Sequence, residues 1–139
     1  MKYGNLIIEK KEYVYLKRIL NISGYNGDLM VKHSLHRLSE QLETAQVVDD
    51  SDVPLDIIRF NSIVSIRADT GEEREIQVVI PSQGNSALNK ISVLKPMGAA
   101  LIGYAATDSV LWNFPAGQKT ITIIAVKRDA NYEPLDIPI

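Results

Sequence analysis

Apolar residues first recur at intervals of three and four. Tyr13, Leu16 and Leu20 mark one helix, and Val31, Leu35, Leu38, Leu42 and Ala45 form a heptad stripe on a second helix from Asp28 to Gln46. Between them, "NISGYNGD" carries two glycines to stop the first helix and Asp28 to cap the second. The pattern predicts a short antiparallel helical hairpin, a coiled coil whose second arm is roughly 28 Å long at about 1.5 Å per residue.

The spacing changes after "VVDDSDVPLD". Asp49, Asp50 and Asp52 repel one another and Pro54 keeps Val53 out of the helical region, which predicts a linker. Beyond it, "NSIVSIRADTGEEREIQVVIP" reads as two strands around a turn at Asp69-Thr70-Gly71. "KISVL" reads as a third strand, and "PMGAALIG" as a brief helix opened by Pro96 and closed by Gly103. "SVLWNFP" and "KTITIIAVK" make a last hairpin through Ala116-Gly117-Gln118. The predicted fold is α+β: a helical hairpin over 1–48, a linker over 49–57, an antiparallel sheet with one short helix over 58–128, and a tail over 129–139.

Composition narrows the chemistry. The chain of 139 residues has no cysteine, which excludes disulfides, thiolate metal sites and cysteine nucleophiles and suits a reducing cytoplasm. Its apolar runs are too short to span a bilayer, and "MKYGNLIIEKK" lacks the core of a secretory signal, so no membrane association is expected. Residues 1–48 hold seven Lys/Arg against five acids, a balance of +2, while the remainder holds eight against twelve, a balance of −4. A front this weakly basic is poorly suited to nucleic acid, where binding by counterion release needs denser cations. A protein partner is expected instead.

Potential sites have simple structural readings. Asp28 reads as a helix cap, and "DTG" at 69–71, flanked by Arg67, Glu72 and Glu73, as a hairpin turn rather than half of a protease dyad. His33 and His36 are three apart on a helix without a third ligand nearby, and Trp112 reads as core in an alternating strand. No catalytic residue, metal ligand or cofactor motif is predicted. From Lys90 to Gly117 the only charges are Lys90, Lys95 and Asp108, and such a stretch, rich in small residues and free of convergent acids or nucleophiles, reads as a surface for holding a partner.

That same stretch carries a family likeness. Ile91-Ser92, Pro96, Gly98, Ala100-Leu101-Ile102-Gly103, Asp108 with Val110, Pro115 with Gly117, and Ala125-Val126 match a pattern in the carboxy-terminal domain of Gre-type transcription elongation factors and their relative Rnk, the regulator of nucleoside diphosphate kinase. "DVPLDIIRFNSIVSIRADTGEE" resembles the Rnk version of the preceding segment, and "KEYVYLKRIL" the opening of the family's first helix. The resemblance implies an FKBP-like carboxy-terminal domain, a coiled-coil arm that enters the secondary channel of RNA polymerase, and polymerase as the partner, with nucleic acid touched only through it.

The tip departs from the cleavage factors. Their G-D-L-S-E-N presents two acids that help hold a catalytic magnesium ion, whereas this chain has Gly27, Asp28 and Leu29, followed by Val31 at the second acid's position and then Lys32. One carboxylate beside an ammonium holds magnesium poorly, so the resemblance is to the Rnk type, without cleavage activity. By the same likeness, Leu94, Lys95, Pro96, Met97 and Gly98 form the turn that meets the polymerase, with Leu94 and Lys95 replacing polar residues of the cleavage factors. Two rival readings are a peptidyl-prolyl isomerase, for which Phe60, Tyr104, Trp112 and Phe114 are a sparse pocket lining, and an adaptor acting on nucleoside diphosphate kinase.

Overall fold

The computed structural model describes residues 1–23, 29–114 and 117–129. Strand β1 (Ile7–Glu9) leads into α1 (Lys10–Ser23); α2 (Leu29–Glu43) is followed by β2 (Gln46–Val48), which pairs in parallel with β1. The sheet contains β3 (Ser62–Ala68), β4 (Glu73–Val79), β5 (Lys90–Ser92), β6 (Ser109–Phe114) and β7 (Gly117–Arg128), in the order β5-β4-β3-β7-β6, with α3 (Pro96–Leu101) between β5 and β6 in the chain.

Both helices predicted from the stripes form. On α2, Leu35, Leu38 and Leu42 are buried, and Val31 packs against the same core. The helix ends at Glu43 rather than Gln46, because Gln46 donates its backbone N–H to Leu6 O at 2.8 Å and starts β2. Three-residue strands carry no periodicity, and β1 and β2 have no signature in the sequence.

The β3–β4 hairpin turns where predicted: Gly71 sits at φ +93° and its N–H reaches Ala68 O at 2.9 Å. The expected all-antiparallel sheet is corrected to a mixed one. Two 3₁₀ turns, Pro81–Gln83 and Ser86–Leu88, reverse the chain after β4, so β5 runs parallel to it. Strand β7 carries a bulge opposite Ser65/Ile66, which keeps Ile121, Ile123 and Val126 on the core side despite the extra residue.

One core joins the helices to the sheet. Leu16 and Leu20 of α1, Leu35, Leu38 and Leu42 of α2, Ala99 to Leu101 of α3 and Val64, Ile66, Ile76, Val78, Val110, Ile121 and Ile123 of the sheet belong to a single cluster. The segment expected as a linker is packed as well: Val53 and Ile57 are buried in a satellite cluster with Ile7 and Ala105. Its acids find cations, Asp49 with Lys10 at 3.1 Å and Asp50 with Arg59 at 2.9 Å, and pairing replaces the repulsion that their sequence suggested. The tail over 130–139 lies outside the described residues.

The first residues are tied down from both sides. Asp108 accepts from Lys2 N at 2.6 Å and Ala105 N at 2.9 Å, and Asp56 takes Lys2 Nζ at 2.5 Å and the Tyr3 hydroxyl at 2.8 Å. Burial pushes the Asp56 carboxyl up, but the hydrogen bonds from Lys2 and Tyr3 outweigh it and hold its pKa below the ordinary 3.8. A depressed carboxyl stabilises the fold above the unfolded pKa and loses that contribution as pH falls through the folded one. Asp56→Asn is therefore expected to lower Tm near neutrality by an amount that shrinks to nothing in strong acid. Melting curves of both proteins across acid pH check this, and a gap that persists at the acid end would count against the tether.

Candidate functional site

The turn from β5 to α3 is built around Ser92. Its Oγ accepts from Leu94 N at 3.1 Å and its carbonyl from Lys95 N at 3.0 Å, while the neighbouring Val93 is fully buried and donates to Val79 O at 3.0 Å. These bonds fix the backbone so that Lys95 stands in solvent as the residue before α3 and Pro96 occupies the first turn, where a missing N–H costs nothing. Leu94, Pro96 and Met97 are half-buried, and Leu94 and Met97 pack against the core. Gly98 is buried under the turn; a Cβ there would lie 2.3 Å from Ser92 O. The five predicted residues thus divide into an exposed cation, a partly exposed apolar rim and a buried spacer.

The loop before β5 exposes a large apolar side chain that the sequence reading did not single out. Leu88 is 62% exposed. It ends a 3₁₀ turn held by Asn85 Oδ1, which accepts from Ala87 N at 3.1 Å, and by Asn89 in the left-handed region at φ +55°. An exposed leucine between two asparagines in a turn-rich segment was the available signal.

At the far end of the helices, Gly27 and Asp28 lie outside the described residues. Lys32 is exposed on the first turns of α2 and lines a shallow groove of about 250 Å³ with Leu29, His33 and His36. His36 pairs with Glu40 one turn on, at 2.6 Å, on an exposed part of α2. Among the described residues no group of three His, Asp or Glu side chains could hold a metal ion. A second groove, about 510 Å³, runs between α1 and α2 and is lined by Tyr13, Lys17, Arg18 and Ser39 among others. Of the aromatic residues an isomerase would need, Phe60 and Tyr104 are buried in the core, and the side chains of Trp112 and Phe114 lie outside the described residues.

A buried ion pair joins the helices to the sheet. Glu12 Oε2 accepts from Arg59 Nε at 2.8 Å and Nη2 at 2.7 Å, and Oε1 accepts from Phe60 N at 2.9 Å. One turn earlier, the Glu9 carboxylate takes the N–H groups of Lys11 at 2.7 Å and Glu12 at 3.2 Å, satisfying two donors that α1 leaves open. Burial pushes the Glu12 carboxyl above its ordinary range against the pull of Arg59 and the Phe60 N–H. Nothing in the sequence marks this pair, since both residues read as surface charges and stand 47 positions apart.

The comparisons with known proteins agree on one family. The family described as "Transcription elongation factor, GreA/GreB, C-term" matches residues 53–128. The regulator of nucleoside diphosphate kinase of Escherichia coli K12 is 34% identical over 84 residues, 60% of this chain and 62% of that protein. Transcription elongation factor GreA of Pelobacter propionicus is 37% identical over 104 residues, 73% of this chain and 65% of that protein. The chain therefore spans somewhat less than two thirds of these relatives. A solved structure, the GreA/GreB transcription elongation factor from Nitrosomonas europaea, superposes with a TM-score of 0.71 at 28% identity, over 89% of this chain and 98% of that one.

Proposed function

The chain belongs to the GreA/GreB transcription elongation factor family, and from that premise we propose that it is a cytoplasmic transcription regulator that docks on RNA polymerase at the secondary channel without cleaving the transcript. In this reading the sheet part is FKBP-like and carries the docking contact at Leu94 to Gly98, and the helices form a short antiparallel coiled coil placed at the channel mouth. The observation that carries the reading is the tip. Lys32 stands exposed close to Asp28 in the chain, and an ammonium there opposes the recruitment of magnesium that transcript cleavage requires. By occupying the rim without an acid pair, the protein excludes Gre-type cleavage factors. Nucleic acid is reached only through the polymerase.

Lys95 offers a clean test, because it is exposed and makes no side-chain cap bond to α3. Equilibrium binding to core RNA polymerase is expected to be competitive with a Gre-type cleavage factor. Lys95→Glu should weaken binding about tenfold while leaving Tm unchanged. Undetectable binding of the parent protein would overturn the reading and favour the second one, an adaptor for nucleoside diphosphate kinase control, which the likeness to that regulator supports.

A further inference from the structure

We propose that Arg59 and Glu12 are positioning residues, a clamp that sets the direction of the α1/α2 arm relative to the sheet and its β5–α3 turn. The chain passes between arm and sheet at two places, the start of α1 and the segment after β2, and the Arg59 guanidinium receives both. Its Nε and Nη2 hold Glu12 on the first turn of α1, and its Nη1 forms an ion pair at 2.9 Å with the exposed Asp50 beyond β2. Glu12 spends its remaining oxygen on Phe60 N, so two consecutive residues of the sheet part grip one carboxylate from three N–H groups. Tyr15 adds a steric stop, meeting Phe60 edge-on with ring centroids 5.5 Å apart.

Burial separates orientation from stability as the purpose of this pair. Arg59 and Glu12 are 5% and 3% exposed, and an ion pair so buried gains little over well-packed apolar side chains of similar volume, because desolvation offsets the attraction. An apolar pair slides and rotates at small cost. Two guanidinium N–H groups on Oε2 and the Phe60 N–H on Oε1 fix the angle of the carboxylate as well as its distance. The clamp therefore holds an angle that the apolar contacts around Leu16 leave softer.

The test replaces charge by shape. In the full chain, which has no cysteine of its own, spin labels at His33→Cys on α2 and Ala125→Cys on β7 report the distance between arm and sheet. The double variant Glu12→Leu/Arg59→Met is expected to fold, with Tm lowered only by the Phe60 N–H that loses its acceptor, yet to give a broader distance distribution with a shifted mean. Arg59→Lys, which keeps the charge but lacks the fork, should broaden it to a lesser degree, and it decides the matter alone if the double variant does not fold. Distributions that match the parent's in the folded variants overturn the clamp. Any consequence for polymerase rests on the docking reading above, and the two fail separately: a broadened arm with unchanged polymerase affinity sinks the need for a fixed arm in docking, while the clamp stands.

Discussion

Gly98→Ala is expected to destabilise the protein by about 3 kcal/mol or more, the upper end of what forced overpacking costs. In an ordinary helix interior the same change would stabilise by about 1 kcal/mol, since alanine is the better helix former. The sign reverses because the new Cβ would sit 2.3 Å from Ser92 O and 2.9 Å from both Ser92 C and Val93 Cα, all backbone atoms that cannot swing aside. Relief requires α3 to lift away from the β5 turn, and Lys95 and Pro96 move with it. Urea unfolding of the two proteins measures the difference. Gly71→Ala is the control: it meets open space at φ +93° and should cost only the left-handed penalty of about 1–2 kcal/mol. A Gly98→Ala protein as stable as the parent would mean that helix and turn do not approach this closely.

The second large effect concerns Leu38, which is fully buried in the cluster shared by helices and sheet. Leu38→Ala should cost about 2–5 kcal/mol, with the value set by how far the cavity collapses. More telling is the shape of the transition. Far-UV circular dichroism follows the helices, and the fluorescence of Trp112, the single tryptophan, follows β6. In a molecule with one core the two signals should move together in the parent and in the variant, shifted to lower denaturant by the same amount. A helical signal lost ahead of the tryptophan signal would show that the arm folds on its own.

Much of this architecture was legible in the sequence where a regular period or a turn residue announced it. The three-and-four spacing of Leu16, Leu20, Leu35, Leu38 and Leu42 marked both helices, and Gly71 marked the β3–β4 turn. Strands of three residues escape such reading: β1, β2 and the parallel direction of β5 depend on partners distant in the chain, and no local propensity encodes direction. The acidic segment misled for a related reason. Asp49 and Asp50 look mutually repulsive in one dimension, yet each meets a cation brought from elsewhere by the fold.

The candidate site was legible in position more than in role. Pro96 and Gly98 flagged a turn entering a helix, but the close approach that requires glycine at 98 involves the Ser92 carbonyl across the turn, a distance no spacing rule contains. Met97 and Leu94 pack against the core in part and leave Lys95 as the exposed member. Arg59 and Glu12 were invisible, because charge argues for solvent until a partner is known.

The parallel pairing of β1 with β2 gives the arm a buckle at its base: Ile7 meets Gln46 and Glu9 meets Val48, so the chain between them is a loop already closed. Closing a longer loop costs only about 0.6 kcal/mol for each doubling of its length. Beyond Leu20 on α1 and before Val31 on α2, the described side chains are half-buried or exposed, so added turns there would leave the core untouched. Each inserted heptad per arm would extend it by about 10 Å. Reach is in that sense a trait detached from stability, free to lengthen or shorten by insertion and deletion while everything below the buckle keeps its place.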